Sequence, residues 1–244
     1  MHVQSSQPRH LRHLSGLQIL IAFLLTVPMM GQSVERNNDN YLRYRTKPFY
    51  YGMSLGGSTN GYKLFRSADF DDQTDIAVVE GISGPSFNVH VIGNLKVGEY
   101  FDFRFLPGAS FGERSILFQD AAGVNDRRQS EFVVVQMPFQ LRFKSEPYKD
   151  FRIFIMTGIK YSWDISSNSR VMNAEDLIRL SPNDFQFELG AGFQIFTPFF
   201  IFSPEFKVSQ GLQNILIFDD TQPETRILQK ILSRAFTVSL NLEG

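Results

Sequence analysis

His90 is the only histidine after residue 31, and Ser83 and Ser86 lie a few positions before it. A lipid-hydrolysing site would use such a pair, the imidazole taking the proton of the attacking hydroxyl. The alternation around His90 instead sets it mid-strand on a polar face, where a lone histidine reads as a structural residue. Asp69, Asp71, Asp72 and Asp75 could hold Ca²⁺, but they lack the spacing and the Gly–Glu ending of a calcium loop. They read as a solvated acidic loop. Leu55-Gly56-Gly57-Ser58 and Gly190-Ala191-Gly192 have no helix after them and so do not cradle phosphate. They fit as bend points and as room for large neighbours. The absence of Cys excludes a disulfide framework, a thiolate metal site and a Cys nucleophile. No catalytic, cofactor or metal residue is assigned, and the expectation is a protein that is not an enzyme and takes no small-molecule substrate.

The informative polar residues are charged ones at alternate positions. Asp102, Glu188 and Glu205 share a face type with Arg104, Arg142, Arg152, Lys160 and Lys207, while the intervening positions are Phe, Ile, Leu and Val. This period of two marks strands. It recurs in Phe49–Ser58, Ser86–Leu95, Tyr100–Pro107, Glu131–Phe143, Phe151–Trp163, Asp184–Phe196, Phe199–Ser209 and Ser233–Leu242. Most of these eight runs exceed the ~5–6 residues of a soluble strand and reach the ~9–11 of a membrane-crossing one. Long connections at Thr59–Pro85, Gly108–Ser130, Asp164–Asn183 and Gln210–Leu232 alternate with short ones at Lys96–Glu99, Lys144–Asp150 and Thr197–Pro198. That rhythm favours an all-β, eight-stranded antiparallel outer-membrane barrel over a soluble sandwich. Eight strands enclose a lumen only wide enough for side chains. The eight charged residues are therefore expected to plug it as an interior network; the alternative is a basic track for an anionic ligand.

The ends of the chain fit the same plan. Arg9 and Arg12 precede an apolar run from Leu17 to Met30, which reads as a signal peptide over residues 1–31 rather than a permanent anchor. Residues 32–47 become a periplasmic lead-in and 48–244 the barrel, with both termini in the periplasm. Tyr50 and Tyr148, and with them Tyr51, Tyr100, Tyr161 and Trp163, fall at strand ends, where interface girdles form. Asn173–Leu180 and Pro223–Leu232 show short helical spacing. With 24 basic and 25 acidic residues nothing points to nucleic acid. The 25 Phe are too many to pass unremarked, and outward strand faces would present them to lipid.

Three stretches resemble one family. Tyr51-Gly52-Met53-Ser54-Leu55-Gly56-Gly57 resembles the first strand of PorT family outer-membrane barrels, and Leu106 to Arg114 (LPGASFGER) is similar to their third. Phe199 to Asn214 (FFIFSPEFKVSQGLQN) is the nearest match. The resemblance implies a part in the type IX (Por) secretion system, which exports proteins and supports gliding in some bacteria. Its members are not known as enzymes, and the translocation pore is a different, larger barrel. The implied partners are outer-membrane lipid and other secretion proteins. Leu242-Glu243-Gly244 departs from many barrels in lacking a terminal aromatic.

Overall fold

The computed structural model describes residues 39–66, 76–120, 125–166, 180–217 and 228–244. The N-terminal segment read as a signal peptide, the Asp69–Asp75 cluster and nearly all of Asn173–Leu180 lie outside the described residues. A short helix, α1 (Asp39–Arg45), leads into ten strands: β1 (Phe49–Arg66), β2 (Ile76–Ile82), β3 (Gly84–Val97), β4 (Phe101–Phe105), β5 (Gly108–Asp120), β6 (Asn125–Lys144), β7 (Phe151–Asp164), β8 (Asn183–Phe196), β9 (Ile201–Gly211) and β10 (Leu228–Glu243).

Ten strands make eight staves. β2 and β3 are one stave broken at Ser83, and β4 and β5 are one stave broken at Leu106–Pro107. Pro107 has no N–H to give the ladder, and Pro138 stands in the neighbouring strand at the same level, its carbonyl taking the Leu106 N–H at 3.0 Å. The interruption does not shift the pleat, so Arg104, Leu106 and Ser110 all stay buried on one side. All pairings are antiparallel, and β10 pairs with β1 from Gly52–Glu243 to Arg66–Leu228, which closes the ring. Closure through β1–β10 and β1–β3 leaves no open edge at the level of those ladders, as a bilayer core requires.

Two expected loops are strands. β5 and the start of β6 occupy most of Gly108–Ser130, and β1 and β2 extend well into Thr59–Pro85. Beyond Phe111 the chain carries Glu113, Arg114 and Ser115, polar on both faces, so the alternation fades although the pairing continues. Of Pro223–Leu232, where helical spacing was read, residues 223–227 lie outside the described residues and 228–232 are strand instead, opening β10 and placing Ile231 in an apolar cluster.

The outer wall is apolar around the whole ring. Met53, Val91, Phe103, Leu141, Ile155, Leu189, Phe206 and Leu240 are each more than two-fifths exposed. Soluble surfaces rarely expose patches beyond a few hundred Å². The band on β7 runs from Phe151 to Trp163, and at about 3.3 Å per residue with ~40° tilt it spans roughly 30 Å. That matches the thickness of an outer-membrane band with its girdles. The inner wall packs closely: Gly192 lies against the Phe154 ring, where a Cβ would sit 2.6 Å from Cζ. Gly192→Leu is expected to destabilise by about 1–3 kcal/mol through overpacking, read as a lower urea midpoint of the folded band on unheated gels.

Candidate functional site

Strand alternation carries the eight charged residues inward; Asp102, Arg104, Arg142 and Glu205 are 0% exposed, and Arg152, Lys160, Glu188 and Lys207 no more than 5%. Their centre is a square of two guanidiniums and two carboxylates. Arg104 Nη1 meets Glu205 Oε1 at 2.5 Å and its Nη2 meets Glu243 Oε1 at 3.1 Å. Arg142 Nη2 reaches the same two oxygens at 2.8 and 2.9 Å. The Arg142 guanidinium also lies 4.1 Å above the Phe154 ring centroid. Such sharing offsets part of the large cost of taking four charges out of water.

Two smaller groups flank the square. On one side Lys144 pairs with Asp102, whose second oxygen accepts the Tyr50 hydroxyl at 3.0 Å. On the other side Lys160 lies 3.0 Å from Glu188, and Ser209 and Gln140 donate to the same carboxylate at 2.9 and 2.8 Å. Lys207 lies at the edge of the square, 3.7 Å from Glu205. Arg152 stands apart at the short-turn mouth. It donates to the Ser145 and Glu99 carbonyls at 2.5 and 3.0 Å and has no carboxylate partner among the described residues.

Among the described residues the lumen is filled by side chains, and the free spaces within it are small. Around His90, Gln136, Lys160 and Glu188 the free space is about 10 Å³, and around Arg114, Asp164 and Asp184 about 40 Å³. The first is smaller than or comparable to a single water site and the second holds very few. Tyr62, Ile215, Leu228 and Ile231 form an apolar cap at the long-hairpin end. Beneath it the Arg114 guanidinium sits 4.7 and 4.8 Å from the Tyr62 and Phe132 rings and 3.1 Å from Asp164. At the opposite end α1 turns Tyr41 and Tyr44 onto Tyr50, Phe196 and Ile201. Asp150 accepts from the Asn40 side chain at 2.8 Å and from the Tyr41 N–H at 3.0 Å, which pins the helix across the mouth.

A model of the outer membrane protein beta-barrel domain matches residues 49–216. The chain belongs to that family. Among solved structures it is similar to the outer membrane protein OprG of Pseudomonas aeruginosa, with 7% identity over 79% of this chain and 95% of that one, at a TM-score of 0.45. It is also similar to Ail, the attachment invasion locus protein of Yersinia pestis, with 9% identity over 81% and 100% at 0.37. The N-terminal barrel domain of OprF from P. aeruginosa gives 10% identity over 77% and 96% at 0.33. A sequence comparison with curated proteins gives no match. By its family the chain is an outer-membrane β-barrel protein.

In this outer-membrane barrel the aromatics expected to form girdles lie on the outer wall. Tyr51 and Tyr100 stand near the short turns, and Tyr161 and Trp163 near the long hairpins; Tyr51, Tyr100 and Trp163 are exposed and Tyr161 is half-buried. Tyr100 sits in the turn opened by Gly98 (φ 77°), and the Glu146 carboxylate 3.4 Å away pushes its phenol above the ordinary value. Tyr148 is exposed. Tyr50 is not a girdle residue: it is 3% exposed and points inward to Asp102. The sequence reading missed Lys144 and Glu243, although both continue the inward parity of Arg142 and Asn241. They stood at the ends of the recognised runs, where alternation has no further residue to support it.

His90 lies in the lumen with its Nε2 3.1 Å from Gln136 Oε1, and no hydrogen bond joins it to a serine hydroxyl among the described residues. Ser86 instead accepts from Asn60. Among the described residues no group of three or more His, Asp or Glu is placed to hold a metal.

Proposed function

We propose that this barrel serves protein export by the type IX secretion system as a non-enzymatic component that is not the pore. The observation that carries the non-pore part is the shut lumen, an ion-pair square sealed by an apolar cap above and α1 below. A barrel that passes nothing through its interior acts through its hairpins, its outer wall or its mouth. The assignment to type IX export rests on the resemblance of Phe199–Asn214 and the two shorter stretches to PorT-like strands. In the orientation that follows, both termini and α1 face the periplasm, where other secretion proteins meet them. A deletion strain is expected to retain type IX cargo in the periplasm and to regain export with the gene restored. Normal secretion of that cargo by the deletion strain would refute the role.

A second reading, a surface barrel for adhesion or envelope stability, draws on the same structure. β2–β5 and β5–β6 continue as paired strands past the apolar band, carrying the ladder above the membrane. Cell attachment that falls in the deletion strain while secretion stays normal would favour it.

A further inference from the structure

The short-turn mouth holds a cavity of about 210 Å³ between α1 and the ion-pair network. Its lining has four cationic side chains, Arg45, Lys96, Lys144 and Arg152, against one carboxylate, Glu99. Arg45 lies 3.9 Å from Glu99 and Lys144 is paired with Asp102, so the excess is carried by Lys96 and Arg152. Asp102 is occupied by Lys144 and Tyr50, and Glu205 and Glu243 are shared by Arg104 and Arg142. Arg152 is 3% exposed, yet backbone carbonyls and the Tyr41 ring are what hold it. Carbonyls fix a guanidinium in place without neutralising it, so its charge stays available in a poorly hydrated site. Lys96 is steered to the same space by the Tyr44 carbonyl and the face of Tyr50.

The opposite wall is different. Tyr41, Tyr44, Phe196 and Ile201 supply apolar and ring surface, and the buried Gln194 adds an amide. We infer that the mouth cavity binds a small organic anion through a phosphate-type head group, held by Arg152 and Lys96, with its uncharged part against the tyrosines. Guanidinium and ammonium donors arriving from several directions suit a tetrahedral oxyanion better than a planar carboxylate. The volume lies below the 300–1,000 Å³ of drug-sized pockets, so the occupant is small. Tyr50, Asp102 and Arg142 close the cavity inward, and the bound anion stays at the mouth rather than passing through. This inference is independent of the secretion role.

The test is titration of the folded full chain with glycerol phosphate, in a zwitterionic detergent free of phospholipid, followed by calorimetry. Saturable binding is expected, weakened at least tenfold by Arg152→Gln and by Lys96→Gln, while acetate at the same concentrations does not compete. Lys96 is only half-buried, so its variant keeps the test open if the Arg152 variant does not fold. Repeating the titration in nanodiscs with and without phosphatidylglycerol separates the sources: competition by that lipid identifies a head group, and its absence a free solute. No saturable binding of glycerol phosphate or of the lipid, or affinities that neither substitution changes, would overturn the site.

Discussion

Glu205→Leu is expected to lower the unfolding free energy of the barrel by about 3–5 kcal/mol, the range for stripping one partner from a buried ion pair. Glu205 is fully buried and accepts from both Arg104 and Arg142, so its loss leaves two guanidiniums to share Glu243. The double variant Arg104→Met/Glu205→Leu should recover at least half of the loss. It retains Arg142 with Glu243 at 2.9 and 3.3 Å and removes the second unpaired cation. Urea unfolding in lipid vesicles, followed by fluorescence of the single Trp, Trp163, measures both. A single variant within about 0.5 kcal/mol of wild type would mean that water solvates the guanidiniums, and hence an open lumen.

Leu189→Arg is the matching test of the outer wall, with an expected cost of about 2–4 kcal/mol at mid-bilayer. Leu189 is 58% exposed on β8, flanked across the ladders by Thr157 and Val208. On a water-facing wall the same change to an exposed residue would stay within about ±0.5 kcal/mol. The two environments therefore predict results several-fold apart at one residue. The vesicle unfolding assay reads the difference, and a neutral Leu189→Arg would remove the bilayer from the account.

The alternation made the walls legible because lipid outside and a packed polar lumen inside impose opposite demands on successive residues. Phe187, Glu188 and Leu189 show it within three positions. The same rule explains what was not legible. Where β5 leaves the band, at Glu113 and Arg114, water faces the outer wall and no longer selects apolar residues, so paired strand resembles loop. Leu228 and Ile231 look helical in spacing but build an apolar cap, a tertiary demand that local pattern does not contain. Of the interior network, the residues within long runs were readable. Lys144 and Glu243 sit at run ends, and Tyr50 was drawn to the girdle by its residue type alone. The partition of the network into a square, two flanking groups and a lone Arg152 depends on register, and register comes from β10 closing on β1.

The central claim is a membrane barrel with lipid on one side of each stave and a filled lumen on the other. The chain has no Cys, so single cysteines can be placed without background. The direct measurement is a spin-label scan of β8 from Phe185 to Ile195 in lipid vesicles, reading collisions with oxygen and with a water-soluble nickel chelate. The account predicts a strict period of two. Labels at 187, 189, 191 and 193 should collide with oxygen and not with the chelate, whereas labels at 186, 188 and 190 should be immobilised and reached by neither. Chelate collisions at 189 or 191 would contradict the lipid-facing wall, and chelate collisions at 188 or 190 would contradict the filled lumen.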